Sequence, residues 1–561
     1  MNKSDLTPQL DWPDLRLQLE ELTETAPSPE TVDEWLRRWT ELAMQLSEYG
    51  TLIHLATMVD TRDKAAQDRY REYIEHIDPQ AKELDHRLKL ILLESGIVPP
   101  GMEVPMRRLR AEADLFREAN LPLEAELSRL SMEYNEISGA MTVDWEGQTV
   151  PIAALRRNLE SNDRTERERA WRMTVERQAQ DRPRLNELWK LMLELREKIA
   201  ENAGFASYTE YAWQGWGRHD YSPADAKVFQ QTILDVVTPA LARQMEQRRT
   251  SMGLESLRPW DLFCDSTGLA PLRPFDNAAQ LELGTQEVYQ RLDRRLGAWV
   301  GEMSRHSLFD LANREGKAPG GFMTVLAQRW HPFIFMNAVG ISDDLRVMLH
   351  ECGHAFHVYQ TEHLPYMQQR DVPMEFAEVA SMAMELLAAP YLSREHGGFY
   401  SAEELARDRT SHLEHIIYVW VMIAVGDAWQ HWIYANPAEA ADAGRASVKY
   451  LELYRQYFPA VDISGLEDPI AWNWQRVLHF YLYPFYFIDY GLAQLGAVQI
   501  WSNSLVDEKQ AVEQYLAGLA LGGTATLPEL YKVAGARLAF DATTFGNAVE
   551  LIETKIAEMA G

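Results

Sequence analysis

The stretch LRVMLHECGHAFHVYQ, residues 345–360, sets three histidines and a glutamate in an apolar run of helical periodicity, in a chain with only fifteen histidines. At 3.6 residues per turn His350 and His354 stand one above the other, with Glu351 flanking them. Val347, Met348, Leu349, Ala355, Phe356 and Val358 mark that helix as interior. Two imidazoles and a carboxylate are costly to bury there without partners. The spacing is H-E-x-x-H: two neutral imidazoles can each offer a ring nitrogen to one zinc ion, and the carboxylate can take a proton from water that the zinc polarises. Such a site needs a third protein ligand, so the fold must bring one to this helix. The competing reading is a pair of histidines held by core hydrogen bonds.

His357 continues the same face one turn on, but one straight helix cannot wrap three consecutive turns around one ion, so His357 reads as packing or outer shell. Cys352 points to another face. Glu375 and Glu378 lie in DVPMEFAEVASMAMELLAAPYL, which predicts a second helix starting near Pro373. Glu375 falls in the first turn, where the helix dipole already favours an acid. Glu378 sits deeper, among Val379, Ala380, Met382 and Met384, where a carboxylate needs a partner. Glu385, seven residues on, shares nearly the same face and suits an outer-shell role or an ordinary ion pair. Spacing alone leaves the choice between Glu375 and Glu378 open.

At 561 residues the chain is long enough for two or more lobes and an enclosed site. Its net charge of -29 opposes nucleic acid and anionic lipid as partners and mildly favours cationic ligands. Two cysteines, Cys264 and Cys352, make neither a disulfide framework nor a cysteine-rich zinc site, which points to a reducing compartment. The first twenty residues carry no apolar signal segment. The apolar run 416–426 is too short to span a bilayer, and the run 478–501 is broken by Pro484 and several polar residues, so both read as buried helices and the expected location is the cytoplasm.

Helical periodicity dominates residues 14–207. Leu185, Leu188, Trp189, Met192, Leu195 and Ile199 form one buried stripe, and another helix is expected to start near Thr31, with Thr31 or the preceding glutamate as its cap. MTVDWEGQTVPIAAL (141–155) predicts a short hairpin around Glu146-Gly147. Gly320 and Gly321 precede two apolar runs, 322–326 and 332–336, that read as strands of a small sheet just before the histidine helix. A further cluster, His412, Glu414 and His415, lacks metal-ligand spacing and reads as a helix surface.

HECGHAFH followed by FAEVAS resembles the zinc oligopeptidases of the thimet oligopeptidase and oligoendopeptidase F group, whose pattern is H-E-x-G-H-x-x-H with a later glutamate ligand. LWKLMLELREKIAENAGFASYTEYAW (188–213) and HFYLYPFYFIDYG (479–491) are similar to segments of the same family, so the likeness extends over roughly residues 185–500. YPFY stands where the mammalian branch has a Gly-Gly pair, which brings the chain nearer the oligoendopeptidase F branch. The resemblance implies one zinc ion per chain held by His350, His354 and Glu378, with Glu351 as general base. It also implies that His479, Tyr486 and Tyr490 stabilise charge on the substrate oxygen. The implied fold is mainly α, two helical lobes flanking a deep substrate channel, with a small β-sheet near the zinc-binding helix. The expected organisation is an N-terminal helical region (1–140), a hairpin with connecting helices (141–200) and a catalytic region (201–561).

The implied function is a zinc-dependent metalloendopeptidase that hydrolyses internal bonds of short peptides. A zinc carboxypeptidase of related helical fold is the nearest alternative, and a non-catalytic peptide-binding protein is a second. An aminopeptidase of the thermolysin-like type places its glutamate nineteen residues after the second histidine; that position here is Pro373. An edge strand after Gly320 and Gly321 would suit main-chain binding of an extended peptide, with an ordinary turn as the equal alternative.

Overall fold

The computed structural model describes residues 6–314, 316–318 and 320–560. The chain is mainly α, as the periodicity requires, with two small sheets among the described residues. Among the described residues no helix is long and apolar enough to cross a membrane. The run 416–426 lies inside the 34-residue helix Ala402–Ala435, and 478–501 is divided between helices Leu478–Leu482 and Phe487–Ser504. Contacts group the chain into two compact units that interleave along the sequence. One comprises 1–116, 273–407 and 493–538, and the other 117–272, 408–492 and 539–561.

In the first unit, the helix Val32–Val59 packs through Trp35, Leu36, Trp39 and Leu42 against Leu84, Leu88 and Leu92 in an apolar cluster that also takes Tyr366. Thr31 holds the N-cap position of that helix, but its side chain makes no capping bond; its hydroxyl instead accepts from the Ser28 N–H at 2.9 Å. Strands β3 (Phe309–Ala312), β4 (Phe322–Leu326) and β5 (His331–Ala338) form a sheet of order β3-β5-β4, parallel between β3 and β5 and antiparallel between β4 and β5. β5 is the most buried because both of its edges are paired. Gly320 has a φ of 106°, which only glycine adopts readily, and nothing lies where its side chain would be. At Gly321 an added Cβ would lie 3.1 Å from Val347 Cγ1 on the histidine helix, so close packing accounts for that glycine.

In the second unit, strands β1 (Thr142–Trp145) and β2 (Gln148–Pro151) pair around Glu146 and Gly147, both at positive φ, as the hairpin pattern anticipates. The 40-residue helix Arg164–Ala203 follows, and its buried stripe meets an aromatic core of Trp189, Trp429, Trp474 and Tyr481. Pro183 is accommodated within that helix.

Candidate metal centre

The helix Ser342–Thr361 follows β5 after a short turn that Asp344 fastens. Its carboxylate accepts from the N–H groups of Val339 (2.7 Å), Gly340 (2.9 Å) and Ile341 (3.1 Å), satisfying donors ahead of the first turn. The second helix, Met374–Ala388, begins just after Pro373 and gives way at Ala389-Pro390 to a short 3-10 turn. The two helices touch closely because Gly353 has no side chain: a Cβ there would sit 2.5 Å from both Ala380 O and Ser381 Cα.

That close approach sets Glu378 against both histidines. Glu378 Oε2 is 3.2 Å from His350 Nε2 and 3.6 Å from His354 Nε2, and the three residues form a group of metal-binding size. Four ligands around zinc at about 2.0–2.1 Å stand roughly 3.3 Å apart, so these separations match that donor set. The Ser381 hydroxyl donates to the same carboxylate oxygen at 3.0 Å. Behind the group, His350 Nδ1–H donates to Glu385 Oε1 at 2.8 Å, leaving Nε2 directed at Glu378. An imidazole fixed by a carboxylate at its far nitrogen is the usual support of a metal-ligating histidine. Glu375 is buried in the first turn of the same helix, outside the group.

The electrostatics follow from burial and crowding. Burial pushes His354 toward the neutral form, to a pKa of about 4, with Glu378 opposing. Burial acts the same way on His350, but Glu378 and Glu385 outweigh it and hold its pKa well above the ordinary imidazole value. Glu351 is 6% exposed, and burial, aided by Glu378 and opposed by His350, raises its carboxyl to about 7. It also accepts a backbone hydrogen bond from Met323 of β4, a contact that sequence spacing did not indicate. His357 is buried against Phe376 and pushed down to about 3 by burial, the behaviour of a neutral packing residue. Cys352 is fully buried, and burial raises its thiol far above the usual range.

His479, Tyr486 and Tyr490 come together in the other unit. The His479 ring stacks on Tyr486 (5.6 Å between centroids, 19° between planes), and the Tyr490 hydroxyl lies 3.5 Å from His479 Nε2. Tyr481 instead belongs to the aromatic core, donating to Leu185 O at 3.3 Å, while Tyr483 is exposed. The turn between His479 and Tyr486 is held in an unusual form, with Phe485 at φ 67°. Three donors fasten it: Trp216 Nε1–H to Pro484 O (2.9 Å), Arg218 to Phe485 O (2.8 Å), and the Phe485 N–H to Gln430 Oε1 (2.6 Å). Arg218 also forms a buried ion pair with Asp489. Trp216, Arg218 and Gln430 carried no sequence cue, because their partners are main-chain atoms more than fifty residues away.

The cluster at 412–415 corrects the expectation of a helix surface. His415 is exposed and Glu414 half-buried, whereas His412 lies on the covered face with Leu413 and Ile416.

Comparison with known proteins agrees with this architecture. The oligoendopeptidase F homolog of Lactococcus lactis subsp. lactis (strain IL1403) is 25% identical over 337 residues, covering 57% of this chain and 52% of that protein. Oligopeptidase PepF of Bacillus subtilis (strain 168) is 25% identical over 332 residues, covering 57% and 47%. The chain thus spans about half the length of the curated relatives it matches. Among solved structures, PZ peptidase A with inhibitor 2 superposes with a TM-score of 0.92 at 25% identity, over 98% of both chains. Oligoendopeptidase-F from Enterococcus faecium, at 18% identity and a TM-score of 0.66 over 98% of this chain and 97% of that one, shares the fold. Residues 10–99 match the peptidase M3 N-terminal domain and residues 158–545 the peptidase family M3 domain, and the chain belongs to peptidase family M3.

Proposed function

We propose that the protein is a zinc-dependent endopeptidase acting on short peptides, with zinc held by His350, His354 and Glu378. The observation that carries this reading is the convergence of the half-buried His350 and His354 on the buried Glu378, backed by Glu385, with the buried Glu351 beside them. Zinc, when bound, supplies a Lewis acid that polarises the scissile carbonyl and acidifies water.

Glu351 takes the proton of the attacking water and passes it to the leaving amine. The Met323 N–H fixes one side of the Glu351 carboxylate. β4 stands at an edge of its sheet, and an extended peptide lying along it would be bound through main-chain groups with tolerance for side chains. His479, Tyr486 and Tyr490 are assigned to donation toward the carbonyl oxygen as charge develops there. That assignment rests on the family resemblance and on their mutual ring contacts, stacked between His479 and Tyr486 and edge-on to Tyr490. The two buried free cysteines suit a reducing compartment, and we assign the protein to the cytoplasm.

The test is digestion of defined peptides, free and blocked at both ends, by zinc-loaded and chelator-treated protein, with products read by mass. Internal fragments from the blocked peptides, lost on chelation and restored by zinc, are expected. Release of single C-terminal residues from free peptides alone would identify a carboxypeptidase instead, and no cleavage at all a binding protein.

A further inference from the structure

A second group of metal-ligating side chains stands apart from the His350 centre. Glu302 and His306 are one turn apart at the end of the helix Arg294–Arg305, where His306 is the C-cap, and His331 opens β5. One ligand atom from each lies within 4.8 Å of the others, with His331 Nε2 4.0 Å from Glu302 Oε1 and the two imidazole rings 5.5 Å apart at 69°.

Hydrogen bonding does not account for this convergence. Among the described residues His331 Nδ1 is buried without a hydrogen-bond partner, and so is the hydroxyl of Tyr359. Tyr359 stacks flat on Trp299 (5.3 Å, 4°), one turn before Glu302. The position of His331 is itself fixed from outside the group. Trp330, at a φ of 49°, donates its indole N–H to Val358 O at 2.8 Å and so ties the β4–β5 turn to the histidine helix.

We propose that Glu302, His306 and His331 form a second divalent-cation site that takes zinc or a similar borderline metal. Two imidazoles and one carboxylate are the donor set such ions select. The end of a helix carries the negative pole of its dipole, and the chain bears a net charge of -29; both favour a cation there. Occupancy would join the end of one helix to the first residue of the central strand, which leads into the helix of the principal site.

The geometry also predicts that this site is the weaker of the two. Its ligands must close by roughly 1 Å to reach the separations of about 3.3 Å that zinc requires. His306 is exposed, and among the described residues no carboxylate backs His331 in the way Glu385 backs His350. Loss of such support typically lowers metal affinity by roughly 10- to 100-fold.

The experiment is equilibrium dialysis of the whole chain against graded zinc concentrations, with bound metal counted by mass spectrometry, for the wild type and for a His306→Ala/His331→Ala variant. The wild type is expected to take up one more zinc per chain than the variant, at least about tenfold more weakly than its tightest ion, and to gain thermal stability from it. The difference in zinc count between the two proteins, which decides the question, does not depend on whether the His350 group binds zinc. Equal zinc counts at every concentration would overturn the proposal. Should the double variant misfold, judged by circular dichroism, Glu302→Gln replaces it: loss of the same weak equivalent supports the site, and its retention refutes it.

Discussion

Gly353→Ala is the sharpest structural perturbation of the principal metal group, because it adds one methyl where two helices touch. The added Cβ would meet Ala380 O and Ser381 Cα at 2.5 Å and Ala380 C at 2.9 Å, whereas ordinary Cβ contacts begin near 3.4 Å. All three obstacles are main chain, so no side-chain rotation relieves them, and the helices must part by about 1 Å. Overpacking of this kind costs about 1–3 kcal/mol. The better helix propensity of alanine returns up to about 1 kcal/mol, which leaves a modest net loss of stability. The effect on metal binding has no such offset. Gly353 lies between His350 and His354, and Ala380 is two residues from Glu378. The 3.2 and 3.6 Å separations would therefore open to about 4 Å or more, beyond what one ion with bonds of about 2.0–2.1 Å can bridge. Competition against a chromogenic zinc chelator should show affinity for the tight ion falling at least roughly tenfold, the scale seen when a metal site loses its supporting shell. Gly546→Ala is the control: nothing lies within 4 Å of its Cβ position in the C-terminal helix, so it should leave zinc binding untouched and stabilise by roughly 0.5–1 kcal/mol. Wild-type zinc affinity in Gly353→Ala would refute the claim that this contact sets the ligand spacing.

Glu385→Gln should keep the fold while weakening zinc binding by roughly 10- to 100-fold, since His350 loses the carboxylate that orients its ring; a chelator titration checks it. Arg218→Ala leaves Asp489 charged and buried and frees the strained Phe485 turn, so denaturant unfolding should show a loss of about 3–5 kcal/mol. Asp261 is buried against Arg164 and Arg167; burial pushes its carboxyl upward, but the hydrogen bonds of the two arginines outweigh this and hold it below the ordinary range. A pKa depressed on folding gives stability that is present above the unfolded value, about 3.9, and is lost as pH falls through the folded one. Asp261→Asn should therefore be less stable at neutral pH, and the gap to the wild type should narrow in acid unfolding curves below about pH 4.

Much of the site was legible because its chemistry sits on short local spacings. His350, His354 and Glu351 share one helix and follow from the 3.6-residue period, and the β4 and β5 runs stand out for their apolar content. Expecting Glu378 rather than Glu375 beside the histidines needed the family pattern; what sets Glu378 there is the Gly353–Ala380 approach, a tertiary contact between segments that the sequence does not pair. The same holds for the Trp216, Arg218 and Gln430 bonds around Phe485 and for the meeting of Glu302, His306 and His331. Polar residues at 408–415 imitate an exposed face, yet Asp408 and His412 lie on the buried side of the 34-residue helix. Which helices gather into which unit depends on contacts across hundreds of residues, to which composition and periodicity are blind.

The most direct test of the proposed chemistry is Glu351→Gln, which nearly preserves side-chain volume and removes only the proton acceptor. Zinc content and kcat/KM on an end-blocked peptide should be measured on the same preparation. Wild-type zinc content with hydrolysis reduced by several orders of magnitude is the predicted result. Turnover within a fewfold of wild type would contradict the role given to Glu351 and, with it, the mechanism proposed for this site.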